Sequence, residues 1–143
     1  MNTAVVLQRL LPPLWCGMVV AIAMEAQIKL QAPGITRELG LGIGKLVFTA
    51  LNRAECVIAI ALALVLFAFA GAKNARIVFG VIFFILLTQT VWLMPRLIER
   101  IDLITSGQTA PDSSVHLVYI ALEISKIVLL LILSVLVNHQ SNN

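Results

Sequence analysis

Six ionisable side chains, Glu25, Lys29, Arg53, Glu55, Glu123 and Lys126, stand in stretches otherwise dominated by Val, Ile, Leu, Ala and Phe. In apolar surroundings such groups can exchange a proton, hold a small ion or polar headgroup, or pair with one another between helices. The last apolar stretch is the most informative. His116, Tyr119, Glu123 and Lys126 follow at intervals of 3, 4 and 3, which sets all four on one inward-facing stripe of a helix. Glu123 comes about 10 Å after His116 at 1.5 Å per residue, too deep to reach water by snorkelling, so it needs a partner inside the protein. Glu25 and Lys29 are also one turn apart, and the six charges divide three to each sign.

Other chemistries lack their residues. His116 with Glu25, Glu55 and Glu123 would give one nitrogen and three carboxylates, but a bundle di-iron site needs Glu-x-x-His on each of two helices, and His139 lies in the tail. Neither a metal nor haem nor any other cofactor is expected. Cys16 and Cys56 fall early in successive antiparallel helices, hence at opposite ends of a bundle; they form no Cys-x-x-Cys and read as apolar packing groups. No Gly-x-Ser-x-Gly elbow is present. Gly40-Leu-Gly-Ile-Gly44 follows no strand and precedes no Gly-Lys-Ser/Thr, which rules out a phosphate loop. The expectation is a non-enzymatic protein. Trp15 and Trp92 read as interfacial anchors and Pro12-Pro13 as a helix-start feature. Gly17 with Ala21, and Ala59 with Ala63, make small-x-x-x-small faces for close helix approach.

The elements that must position the charged residues follow from composition. Of 143 residues 60% are hydrophobic and only 12% charged, with a mean hydropathy of +1.01. A soluble domain keeps about a quarter of its residues charged, so a water-soluble globule is excluded, as are disorder, a coiled coil, a disulfide-stapled fold and a nucleic-acid binder. Segments near the ~20 residues that cross a bilayer occur at 11–30, 46–72, 77–94 and 115–137. They predict an all-α fold, an integral membrane four-helix up-down bundle, as one domain over 1–143. Residues 72–76 make the whole second loop, a tight hairpin between helices two and three. Loop one, 31–45, either extends helix two or lies at the interface, and the third loop first continues helix three from Arg96 to Asp102. Ser113 or Ser114 caps helix four, and the Asn-His-Gln-Ser-Asn-Asn tail, 138–143, frays. No internal repeat is present. The first span, despite a cleavage-like Ala21-Ile-Ala23, reads as retained. Counting every cation puts loops one and three in the cytoplasm; setting aside Lys29 and Arg53 nearly balances the two sides.

Up-down threading gathers the polar residues at the end that carries loops one and three. Helix one brings Glu25, Gln27 and Lys29 there, helix two Asn52, Arg53 and Glu55, helix three Thr88, Gln89 and Thr90, and helix four His116, Tyr119, Glu123 and Lys126. The opposite half is almost purely apolar. One reading is a structural network that specifies how the helices pack. The other is a one-sided polar basket of Glu25, Lys29, Asn52, Arg53, Glu55, Gln89, His116, Tyr119, Glu123 and Lys126 that engages a partner protein or a lipid-like ligand. An alternative function is a small proton- or ion-coupled transporter or channel subunit acting as an oligomer, in which Glu25 and Glu123 titrate while Lys29, Arg53 or Lys126 set their affinity. The expected surroundings are the lipid bilayer, with a homo-oligomer or protein partner and no nucleic acid, in a bacterial inner membrane.

The order of four spans, the stretch Phe-Thr-Ala-Leu-Asn-Arg-Ala-Glu from Phe48 to Glu55, the Pro95 that ends helix three, and the Val-His-Leu-Val-Tyr from Val115 to Tyr119 resemble the small four-span proteins of the transmembrane protein 205 family. The resemblance covers most of the chain. It implies a fold more than a function and carries over no catalytic residues.

Overall fold

The computed structural model of the protein describes residues 3–68, 73–110 and 114–140. The described residues form four long helices: α1 (Thr3–Ile28, tightening into a 3₁₀ turn at Lys29–Gln31), α2 (Arg37–Ala68), α3 (Lys73–Thr105) and α4 (Val115–Gln140). All four are long and apolar enough to cross a membrane. α1 packs against α2 and α4, and α3 against α2 and α4, so the ring closes as an up-down four-helix bundle. Its core joins Trp15, Cys16 and Val19 of α1 to Leu51, Ala59, Leu62 and Leu66 of α2, Phe79, Ile82 and Leu86 of α3, and Leu130, Leu133 and Val137 of α4.

The first three helices depart from the bounds expected of them, while α4 begins at Val115 as expected and runs on to Gln140, through the first residues of the tail expected to fray. α1 starts eight residues before the expected position 11, because Ala4 is buried and the Gln8 side-chain amide donates to the Val65 carbonyl at 3.1 Å, tying the first turns to the end of α2. Pro12 and Pro13 therefore lie inside the helix rather than at its start. α2 absorbs most of loop one. Gly34, at φ 83°, reverses the chain, and the Thr36 hydroxyl then caps the helix by accepting from Leu39 N at 3.2 Å. Gly40 lets the Leu30 side chain pack where a Cβ would meet it. The expected loop at 72–76 is helical from Lys73 onwards; Arg76 Nε donates to the Leu66 carbonyl at 3.1 Å, and its guanidinium lies 5.5 Å from the Phe67 ring centre. Residues 69–72, the expected end of helix two, lie outside the described residues, as does the candidate cap Ser113. The Ser114 carbonyl accepts from Val118 N at 2.9 Å and so opens α4.

Pro95 does not end the third helix. A helical proline has no N–H to donate, and its ring crowds the preceding turn. Here that turn widens into a π segment, Gln89–Leu93, and the helix resumes at Met94 to run on to Thr105. It stops in a Schellman arrangement, with Gly107 at φ 76°, Gln108 N donating to the Leu103 carbonyl and Gly107 N to the Ile104 carbonyl. α2 and α3 have 32 and 33 residues. At 1.5 Å per residue each is about 48 Å long against a hydrocarbon core of about 30 Å. The surplus, rich in charge, projects beside loops one and three as a two-helix stalk. A second core of Leu93, Met94 and Tyr119, with Phe48, Leu97, Ile98, Val115 and Leu122 around it, seals its base, and Lys45 pairs with Asp102 on its surface.

Candidate functional site

The polar residues meet near the middle of the spans, not at one end of the bundle. Lys126 of α4 is the hub. Its ammonium lies 2.5 Å from Glu55 Oε1 of α2 and donates to Gln89 Oε1 of α3 at 2.9 Å and to Glu123 Oε1, one turn back on α4, at 3.0 Å. An ammonium has three N–H donors, and three acceptors surround it. Gln89 completes the ring by donating Nε2 to Glu123 Oε1 at 3.0 Å. From α1, the Trp15 indole donates to Glu55 Oε1 at 2.8 Å. Trp15, Glu55, Gln89 and Lys126 are fully buried, while the Glu123 side chain keeps 14% exposure.

The arrangement leaves acceptors over. Glu55 Oε2 and Glu123 Oε2 are buried outside the ring's hydrogen bonds, and the Tyr119 hydroxyl, a donor as well as an acceptor, is buried facing Glu123. Two carboxylates and one ammonium sum to one excess negative charge in an apolar interior, a costly state unless a further proton or cation compensates it. The local helix geometry produces this grouping. Spacing of 3 and 4 on α4 stacks Tyr119, Glu123 and Lys126, and the π turn begins at Gln89 itself. Beside the ring lies a neutral relay. Asn52 Nδ2 donates to Thr90 Oγ1 at 2.9 Å, Thr90 donates to the Leu86 carbonyl, and Cys56 Sγ lies 4.0 Å from Thr90 Oγ1.

The ten-residue basket is thus divided. Glu55, Gln89, Glu123 and Lys126 come together, with Tyr119 adjoining them and Asn52 in the relay. Glu25 and Lys29 form their own pair at 3.3 Å, part-exposed, with Lys29 5.9 Å from the Phe48 ring centre. Arg53 and His116 are exposed and join neither group. Arg53 could not share the face of Glu55, because residues two apart on a helix point about 200° from each other. The expected clustering at one end rested on spans that began too late; with α1 starting at Thr3, its middle falls near Trp15. For the same reason Trp15 is a buried partner of Glu55 rather than an interfacial anchor. Cys16 and Cys56 are the residues next to that bonded pair, so they share its depth instead of lying at opposite ends; both are free thiols. Trp92 is exposed, with the Arg96 guanidinium 4.7 Å from its ring centre.

Surface depressions lie beside Ser134, Val135, Asn138 and His139, and beside Ala21, Met24, Glu25, Ile28 and Lys29; none of these residues belongs to the central ring. Among the described residues no three His, Cys, Asp or Glu side chains group as metal ligands. Comparison with protein-family models, with curated proteins and with solved structures finds no match to the chain in any of the three.

Proposed function

We propose that the protein is a non-enzymatic, multi-pass membrane component whose central ring takes up and releases a proton, acting as a proton-coupled transporter or channel subunit within an oligomer. The observation that carries this reading is the surplus of carboxylate: Glu55 and Glu123 each keep a second oxygen buried outside the ring's hydrogen bonds, around a single ammonium. A network built only to hold helices together gains most when each buried oxygen has a donor. A proton supplies the missing donor, cancels the excess charge and needs no cavity, which suits so closed a ring. Four helices enclose little volume, which favours a transport pathway between copies over one within a single chain. The depression beside the Glu25–Lys29 pair favours a second reading, in which that rim engages a lipid-like headgroup or partner protein. Placement in a bacterial inner membrane belongs to the same proposal. So does affiliation with the transmembrane protein 205 family, resting on the stretches at Phe48–Glu55 and Val115–Tyr119, since Pro95 no longer contributes.

Infrared difference spectroscopy of the protein in lipid nanodiscs, titrated from acid to alkaline pH, tests the reading. The expected result is a protonated-carboxyl C=O band that titrates, disappears in Glu55→Gln or Glu123→Gln, and persists in Glu25→Gln. Absence of any titrating band that those two variants remove would overturn it and leave the ring as architecture.

A further inference from the structure

We infer that the protein assembles with copies of itself through an ion pair between Arg53 of one copy and Glu123 of the next. The six ionisable side chains of the apolar stretches balance three against three, yet within one chain they do not all find partners. Glu25 pairs with Lys29, and Lys126 answers Glu55 and Glu123 together. One negative charge is then left over in the ring and one positive charge on the surface. Arg53 is exposed, and among the described residues it has no hydrogen bond, ion pair or ring contact. It stands on the outer face of α2 with Leu46, Val57, Ile60 and Leu64, apolar side chains that are themselves more than half exposed. That apolar face continues for about 10 Å beyond Arg53 towards loop one, as far as Leu46, and about 16 Å the other way to Leu64. A guanidinium stays charged there, and hydrocarbon offers it no acceptor.

Depth selects its partner. The Glu55–Lys126 bond sets those two residues at one level in the bundle. Arg53 lies two residues from Glu55, about 3 Å towards loop one, and Glu123 three residues from Lys126, about 4.5 Å towards loop three, at the same end of the molecule. The surplus cation and the surplus carboxylate are therefore level to about 2 Å. No other acid on the spans qualifies. Glu25 is ten residues beyond Trp15, about 15 Å towards the loops, and is held by Lys29, while Glu55 is sealed inside. Glu123 stands about 60° round α4 from Lys126, at the edge of the inward stripe, and its side chain is 14% exposed where those of Trp15, Glu55, Gln89 and Lys126 are fully covered. Its carboxylate lies just beneath that edge. In hydrocarbon opposite charges attract over several Å, so the long stem of a neighbour's Arg53, laid against the edge, answers it.

The two charges cannot meet within one chain, because α2 and α4 occupy opposite corners of the bundle. For the same reason the contact is head to tail: each copy offers α2 to one neighbour and receives the other neighbour's α2 beside its own α4, which builds a closed ring of copies or an open row rather than a two-fold dimer. Copies inserted alike meet level for level, as the pair requires. This assembly goes beyond the proton reading and does not depend on it; a proton and a neighbour's Arg53 answer the same charge, each in the absence of the other.

Disulfide cross-linking tests the pair, in membranes of cells that make two sets of copies, both free of Cys16 and Cys56. One set carries Ala50→Cys, beside Arg53 on α2, and the other Ile120→Cys, one turn before Glu123 on α4; both positions are exposed, and they lie about 8 and 9 Å from the level of the Glu55–Lys126 bond. An oxidant should join the two sets into a species of twice the chain mass and join neither set to itself. Arg53→Gln in the first set, or Glu123→Gln in the second, should each cut the yield by roughly fivefold or more, and the two together should cost little more than either alone. Because Arg53 is exposed, its variant reads the contact without disturbing the core. No joining of the mixed sets, a yield that Arg53→Gln leaves unchanged, or joining of each set to itself would overturn the pair. Loss of a copurifying phospholipid in Arg53→Gln, with the cross-link yield at the parent level, would assign the guanidinium to a lipid phosphate instead. The titrating carboxyl band is read separately on the parent chain, so failure of proton exchange and failure of this contact are told apart.

Discussion

Lys126 and its two carboxylates are not equivalent, and the inequality is measurable. Removing the ammonium in Lys126→Met leaves Glu55 and Glu123 facing each other with no counter-charge, which should cost about 3–5 kcal/mol of stability in an unfolding titration in lipid or detergent. Removing one carboxylate in Glu123→Gln leaves one charge of each sign and a side chain that still hydrogen-bonds, so the same titration should shift by less than about 1 kcal/mol in either direction. Tyr119→Phe removes a buried hydroxyl that faces Glu123, and the same titration should show a loss of about 0.5–1.5 kcal/mol. At this scale the sequence was partly legible. The 3, 4, 3 stripe on α4 marked Tyr119, Glu123 and Lys126 as inward, since helical spacing is a local property. It misplaced His116, which begins the helix where nothing covers it, and Arg53, whose step of two residues from Glu55 already set it on the other face. Trp15 could not be identified, because its role depends on how far α1 slides along α2, and that register is fixed by contacts between residues far apart in the chain.

The element that sets the ring's geometry is α3, where the π turn inserts one residue between a half that faces α4 and a half that joins the stalk. Val91 lies in that turn with its side chain exposed. Deleting it should keep Gln89 inward above and the Leu97–Ile98 face inward below, so the fold should survive, but Pro95 would then stand in an unwidened turn at a loss of about 3 kcal/mol. Deleting Ile82 instead rotates Gln89 by about 100° out of the ring and should abolish cooperative unfolding. Circular dichroism and the unfolding titration separate the two. Span number and order were legible because ~20 apolar residues in a row admit few other readings. The bounds were not, because Gln8, Arg9 and Pro95 read as stops until tertiary contacts absorb them: Gln8 on Val65, Pro95 in the widened turn.

Taken whole, the molecule has helices of graded length, with α2 and α3 at 32 and 33 residues outrunning α1 at 29 and α4 at 26, and the charged surplus of the two longest makes the stalk. Single cysteines in a background free of Cys16 and Cys56 should report this directly. A membrane-impermeant maleimide should label Glu99→Cys on the stalk and spare Val57→Cys and Phe84→Cys, which are exposed on the protein but face lipid. The Lys45–Asp102 pair on the stalk is open to solvent, so Asp102→Ala should cost less than about 1 kcal/mol, and the cost should vanish in high salt. The closed ring also imposes an order on the molecule's birth. Glu55 enters the membrane with the second helix, and the cation that answers it is not made until the fourth. In that interval the half-finished chain must keep Glu55 neutral, near water or in the care of the insertion machinery, and the arrival of Lys126 is what releases it. A chain truncated before α4 would keep displaying that carboxyl, a mark by which membrane proteolysis can tell an unfinished copy from a complete one.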